Sequence, residues 1–403
     1  MSFAQIHILQ TNIIYVILLQ MISVIGYYTT KFGELWEKSL FDLTEEALFG
    51  VLKESQIEKE RIDAVFFGNM LGGVLENNLH SPSKIAEIMG THIPVFRAEA
   101  ACASGGAAFN LAYTYLEANP GKTVLVIGAE KMTDYSPEEV ISALTAASSG
   151  EEQESGLTFP GLYAMMARVY LETYQYSAKD LNYVSYKNHY HGSLNDRAHF
   201  RNKVSLREIE SSPLIADPFR VLDCSPISDG ASAVIMTSDK KIISKREKTM
   251  KVLATEVATD TISLKSRNYL DGIEAARIAG KKAFQKAAMR PGDIQVAELH
   301  DCFSIAELFA MEDLGFWKKG TAGKRISLLE TMLGSGHTLT TNTSGGLKAA
   351  GHPVGATGIK QIGEVFLQLT RQAGKRQIKN ADKGLTHNVG GSGGTAIVSI
   401  FTV

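Results

Sequence analysis

Asp229-Gly230-Ala231-Ser232-Ala233-Val234-Ile235-Met236 and Gly393-Gly394-Thr395-Ala396-Ile397-Val398-Ser399-Ile400 share one pattern: a glycine-bearing turn that runs straight into an apolar strand. Each lies near the end of a long stretch in which helical periodicity alternates with short apolar runs, the signature of a layered α/β fold. The chain therefore reads as two related α/β halves, residues 21–140 with 221–245 and residues 250–403. Working outward, the pattern predicts helices over 37–55 and 105–118 and buried strands over 64–67 and 123–127. In the second half it predicts helices over 275–288, 304–314 and 359–369 and a strand over 296–299. Residues 141–220 are less periodic and richer in Ser, Asn, His and Tyr, so they read as an excursion from the first half. Residues 240–251 read as a basic connector.

The 403 residues are 44% hydrophobic, enough to bury a large core, and the formal net charge is -2. Nothing in that balance argues for nucleic acid or an anionic membrane surface, so an anionic ligand must be met by local charge. The three cysteines, Cys102, Cys224 and Cys302, form no CxxC pair and are too few for a disulfide scaffold. A reducing, intracellular and cytoplasmic setting is expected.

The first 30 residues lack Lys, Arg, Asp and Glu, and residues 6–25 are apolar enough to resemble a membrane span. A basic flank that would orient such a span is missing before Lys31, as is the basic start of a signal peptide. Met21 is taken to open the folded domain, with a β-branched strand over 22–25 ending at Gly26 and residues 1–20 as an apolar extension.

Four segments could carry chemistry. Cys102, in Ala100-Ala101-Cys102-Ala103-Ser104-Gly105-Gly106, sits among small residues just before a helical run. The positive end of that helix would favour a thiolate, although such a setting more often holds a buried core thiol. Asn342-Thr343-Ser344-Gly345-Gly346-Leu347-Lys348-Ala349-Ala350-Gly351-His352-Pro353-Val354-Gly355-Ala356-Thr357-Gly358 holds one histidine in a bed of turn residues. His352 could cap a loop or act as the base that activates a thiol. His300-Asp301-Cys302-Phe303 follows a strand end, where ligands gather in α/β sheets, and invites an acid–base or a metal reading. Thr386-His387-Asn388-Val389-Gly390-Gly391-Ser392-Gly393-Gly394 offers exposed backbone amides for an oxyanion, or merely a tight turn.

Together, in this order, the four segments resemble the thiolase superfamily over the chain from Met21 onward. The Ser344-Gly345-Gly346…Gly351-His352-Pro353-Val354-Gly355-Ala356-Thr357-Gly358 block is its most specific part, and Gly128-Ala129-Glu130-Lys131-Met132 is also family-like. Most thiolases have Asn-Glu-Ala-Phe where this chain has His300-Asp301-Cys302-Phe303, and Cys-x-Gly where it has His387-Asn388-Val389-Gly390. Both departures are similar to the sterol-carrier-protein-2 type, in which the second cysteine lies in the His-Asp-Cys-Phe motif. The chain is read as ending with the thiolase-like unit, without an appended lipid-transfer domain.

The resemblance implies a five-layered αβαβα fold of two halves, with residues 141–220 as a loop domain that helps hold CoA, and a homodimer or dimer of dimers. It implies Cys102 as nucleophile, His352 as its base, Cys302 as second acid–base and His300 as enolate donor. Backbone N–H groups of Cys102 and of Gly390 or Gly391 would bind the tetrahedral intermediate. CoA thioesters are then substrates, with no metal or redox cofactor. His189, His191 and His199 are read as structural or substrate-lining rather than zinc ligands, and Cys224 as a packed thiol. Arg197, Arg201, Lys203 and Arg220 are undistinguished candidates for the CoA phosphates. A ketoacyl synthase would have no use for a second acidic thiol, and a steroid side-chain aldolase of the same subgroup lacks the nucleophilic cysteine. A non-catalytic scaffold or lipid-binding subunit would have no reason to keep Cys102, His352 and Cys302 together.

Overall fold

A computed structural model describes residues 21–403; the apolar extension at 1–20 lies outside the described residues. Among them, ten strands form one sheet. The first part of the chain supplies β1 (Ser23–Thr29), β2 (Ala64–Gly68), β3 (Val95–Ala98), β4 (Thr123–Glu130) and β5 (Gly230–Thr237). The second supplies β6 (Met250–Thr259), β7 (Val296–Glu298), β8 (Thr340–Thr341), β9 (Lys383–Gly390) and β10 (Thr395–Thr402). Their order across the sheet is β8-β7-β9-β10-β6-β1-β5-β4-β2-β3. Read outward from the middle, β1-β5-β4-β2-β3 mirrors β6-β10-β9-β7-β8. The two inner joins of each set are antiparallel and the two outer joins parallel. The shared turn-and-strand pattern of β5 and β10 is thus one visible part of a five-strand repeat.

The two sets join through Ser23–Lys251 and Val24–Met250 at one end of β1 and then diverge into facing sheets. Helices α3 (Ser104–Ala118) and α8 (Val354–Leu369) fill the space between them. α3 packs on β2 and β4 of one set and β6 of the other; α8 packs on β4 and β5 and, opposite, on β9 and β7. Outside the first sheet lies α1 (Leu40–Ser55), and outside the second α6 (Glu274–Ala287) with α7 (Ser304–Asp313) beside it. This is the αβαβα arrangement. α1 starts at Leu40, three residues later than the pattern predicts, because Ser39 and Asp42 cap each other's backbone N–H there. Its stripe of Leu40, Leu43, Leu48 and Val51 is wholly buried, each side chain contributing about 1.5–3 kcal/mol.

α8 is buried almost all round, as a central-layer helix must be. Its polar side chains are therefore satisfied internally: Lys360 donates to the Ser344 hydroxyl and the Gly346 carbonyl, both at 2.9 Å, and Glu364 pairs with Arg376 at 2.9 Å. The close approach of α3 and α8 requires glycine. A Cβ on Gly105 would lie 2.7 Å from the Gly355 carbonyl oxygen, and one on Gly358 would lie 2.9 Å from the Gly105 carbonyl carbon.

The observed elements depart from the sequence pattern in three further places. Residues 141–220 are not irregular: they hold α4 (Phe159–Tyr174), α5 (Ala178–Gly192) and a small hairpin of Leu214–Ala216 with Phe219–Arg220. The period of α5 is hidden because its buried stripe is polar. Lys187 pairs with Glu307 at 2.8 Å, both fully buried, and Asn188 donates to Asp301 at 2.6 Å. The basic connector ends earlier than expected, since Met250 and Val252 are already buried positions of β6. β1 continues past Gly26 to Thr29, because Gly26 follows a bulge and lies against Ser55, where a side chain would not fit.

Candidate active site

The pseudo-symmetry sets the site. α3 and α8 occupy equivalent places in the two halves, and the segment before each carries a candidate group: Cys102 before α3, His352 before α8. The Cys102 turn is tight. Ala101 has φ +51°, Ala103 N–H donates to Ala100 O, and the Ser104 hydroxyl donates to Ala101 O at 2.6 Å while accepting from Ala100 N–H at 3.0 Å. Glycine is needed at 390, because a Cβ there would run into the Ala100 carbonyl.

Hydrogen bonds assign both imidazoles. The Thr357 hydroxyl donates to Pro353 O at 2.9 Å, so the Thr357 oxygen, 2.7 Å from His352 Nδ1, accepts the proton that Nδ1 carries. His352 Nε2 is then bare, and it has no partner among the described residues. The assignment at His300 runs the other way. Gly106 N–H donates to Asn388 Oδ1 at 3.1 Å, which fixes the amide's orientation. Asn388 Nδ2 therefore donates to Cys102 O at 3.2 Å and to His300 Nδ1 at 3.3 Å. His300 carries its proton on Nε2, which is likewise unpartnered. The rings stand 5.1 Å apart at 83°. Burial pushes the His352 pKa down to about 3, with Lys360 adding to it, and burial holds His300 well below the ordinary histidine range. Two neutral imidazoles thus face one space, one offering a lone pair and the other an N–H.

Cys302 follows His300 by two residues and is buried. Burial, then the neighbouring Cys102 thiol, pushes its pKa well up, while a hydrogen bond from Tyr163 opposes the rise. Burial pushes the Cys102 pKa up, and the backbone N–H of Gly391 works against that rise. The amides of Thr386 to Gly390 are not exposed, as the sequence reading had them: they belong to β9, paired with β10 and in part with β7. The turn that follows, opened by Gly391 at φ +61°, is the part left to face the thiol.

Other sequence candidates lie elsewhere. Asp301 points away from Cys302 and accepts from Asn188 at 2.6 Å and Leu347 N–H at 2.7 Å, which makes it an anchor for the 342–352 loop. His191 is fully used, donating to Asn342 O and accepting from Leu333 N–H. His189 contacts Asn202 O, and His199 contacts the Ser228 hydroxyl, which accepts His352 N–H. Cys224 packs with its thiol 3.5 Å from Arg220 O. Arg197 lies over Tyr28, Lys203 over Tyr190, and Arg220 donates to Ser212 O, while Arg201 is exposed.

Residues 22–240 match the family model "Thiolase, N-terminal domain" and residues 256–403 match "Thiolase C-terminal domain-like". The chain belongs to the thiolase family. It is 44% identical over 383 residues to the acetyl-CoA acetyltransferase of Methanothermobacter thermautotrophicus, covering 94% of this thiolase and 99% of that protein. It is 31% identical to human sterol carrier protein 2, covering 95% of this chain and 72% of that one. The solved Ltp2–ChsH2(DUF35) aldolase superposes with a TM-score of 0.81 over 95% of this thiolase and 98% of its own chain; at 20% identity that likeness concerns the fold.

Four residues of this thiolase's site escaped the sequence reading: Asn388, Thr357, Tyr163 and Glu130. Glu130 accepts from Asn69 and from the N–H groups of Met70, Leu71 and Gly355, tying the end of β4 to the first turn of α8. For Asn388 a signal existed, since it occupies the cysteine position of the family's Cys-x-Gly motif. Burial raises the Cys102 pKa to about 12 even though Gly391 N–H pulls it down, so the helix dipole expected to favour a thiolate is outweighed. Iodoacetamide should accordingly alkylate Cys102 about tenfold faster per pH unit through the neutral range up to pH ~9. A plateau near neutrality would instead show a resting thiolate–imidazolium pair.

Proposed function

We propose that this thiolase is an acetyl-CoA acetyltransferase that cleaves acetoacetyl-CoA with CoA, or runs the reverse condensation, through an acetyl-Cys102 intermediate. The reading is carried by the meeting of Cys102, the bare Nε2 of His352, the N–H Nε2 of His300 and the Cys302 thiol at one site. In cleavage, Cys102 Sγ attacks the 3-keto carbon while its proton passes to His352 Nε2. The oxyanion is held by the N–H groups of Gly391 and Cys102. Breaking the C2–C3 bond leaves acetyl-Cys102 and the enolate of acetyl-CoA; His300 Nε2–H binds the enolate oxygen and Cys302 delivers a proton to C2. CoA then attacks acetyl-Cys102, its thiol proton restoring Cys302, and the expelled Cys102 sulfur regains its proton from His352. Every proton lent is returned without a metal or redox cofactor. CoA is proposed to lie against the loop domain, residues 141–220.

A short acyl group is supported by the wall beside the nucleophile. Leu71, Leu75, Met132, Val140, Ala143 and Val354 are buried against one another, with Cys102 at their margin. A long chain would have to spread that packing, at a cost of about 1–3 kcal/mol. CoA-dependent cleavage of acetoacetyl-CoA should therefore exceed that of a long-chain 3-ketoacyl-CoA by roughly 10–100-fold in kcat/KM. Comparable rates would exclude the short-chain assignment, and no cleavage of either would favour the scaffold or lipid-binding reading.

A further inference from the structure

We infer that Asn388 is a positioning residue for His300: its amide fixes which imidazole nitrogen carries the proton and registers that N–H against the Cys102 turn. The inference rests on the enolate-donor role proposed for His300. It also joins the chain's two departures from the common thiolase pattern, since His300 stands in the Asn-Glu-Ala-Phe position and Asn388 in the Cys-x-Gly position. β7 and β9 run parallel with Thr386 beside Glu298, so two residues further on Asn388 comes level with His300. The contact is made: Asn388 Nδ2 lies 3.3 Å from His300 Nδ1, and it is the one hydrogen-bond partner of that ring among the described residues.

The amide can sit only one way round. Its Oδ1 accepts the N–H of Gly106 at 3.1 Å, in the first turn of α3, where a backbone donor has no helical carbonyl to meet. Turning the amide over would set two donors against each other there and leave Cys102 O, 3.2 Å from Nδ2, without its donor. Nor can the side chain shift: Asn388 is 2% exposed, and a Cβ on Gly106 or Gly358 would lie 2.8 or 2.4 Å from Oδ1. Both Nδ2 hydrogens are thereby committed, one to Cys102 O and one to His300 Nδ1. The opposite tautomer would bring an Nδ1 hydrogen against a fixed N–H. His300 Nε2–H is therefore in place before substrate binds, so the enolate meets a donor that needs no reorganisation. Because Cys102 O belongs to the same set of bonds, nucleophile and donor keep one mutual geometry.

Asn388→Ala removes the amide and leaves the Cys102 turn its two Ser104 hydrogen bonds. Exchange of the methyl hydrogens of acetyl-CoA with deuterium from solvent, which requires enolate formation, should fall about 10–100-fold, the worth of the bond that fixes the donor. Transfer of acetyl from acetyl-CoA to Cys102, read by intact mass, needs no enolate and should stay within about threefold of the parent. In a His300→Ala background the same substitution should lower the residual exchange by less than about threefold, because Asn388 acts through that ring. Undiminished exchange in Asn388→Ala, with exchange lost in His300→Ala, overturns this inference alone. So does a further fall of about tenfold or more when the two are combined, since Asn388 would then act independently of His300. A parallel fall of exchange, acetylation and thermal midpoint overturns it too, because the amide would then be structural. Exchange that survives His300→Ala overturns the enolate-donor reading beneath it.

Discussion

Cys102→Ala should lower CoA-dependent cleavage of acetoacetyl-CoA by about 10⁴-fold or more, with no acetyl adduct on the intact protein. Neither other thiol can take over. Cys302 is buried and proposed to act on carbon, and Cys224 packs its sulfur against Arg220 O. Folding should be spared, because Cys102 sits in a turn already built from alanine and glycine and held by backbone and Ser104 hydrogen bonds. Activity within tenfold of the parent, measured on the purified variant, would remove Cys102 from the chemistry.

His352→Ala should cost about 10²–10⁴-fold in kcat, the range of a lost general base. The reason is the resting state: with the Cys102 thiol near 12 and His352 near 3, both partners are neutral, so the proton must move as the sulfur attacks. The loss should fall on acetyl-Cys102 formation, followed by rapid-quench mass spectrometry. Deuterium exchange into acetyl-CoA, assigned to Cys302 and His300, should fall less. If exchange and acetylation drop equally, His352 is not specific to the nucleophile. Free imidazole should restore part of the acetylation rate, since Nδ1 is held by Thr357 and only Nε2 is needed.

Much of the candidate site was legible because it is written in residue types with few alternative uses. A cysteine among alanines, one histidine in a glycine bed and a His-Asp-Cys run each point to chemistry, and the four segments in order point to a family. The turn-and-strand pattern also disclosed the two halves, because β5 and β10 are buried on both faces and so read as unbroken apolar runs. What remained hidden is defined by partners far away in the chain. Thr357 is an ordinary helix residue until its hydroxyl is seen between Pro353 O and His352 Nδ1. Asn388 stood inside a quoted segment, yet its value comes from Gly106 N–H, Cys102 O and His300 together. Asp301 shows the converse: adjacency to His300 and Cys302 suggested chemistry, while its carboxylate serves Asn188 and Leu347. α5 was obscured by buried polar residues, which break the apolar period without breaking the helix.

The glycine contact between α3 and α8 has a bearing on how this molecule can vary. The proposed nucleophile and its proposed base ride on different repeats, so the gap between them is the thickness of that helix–helix contact rather than the shape of either loop. Gly105 and Gly358 act as a gauge block: with a Cβ at either of them something must shift, and the relief available is to move one half against the other. Loops around the site can be rewritten for a different acyl group or a different neighbour while the gauge stays unchanged. Drift at these two positions would detune the machine without altering a single reacting group.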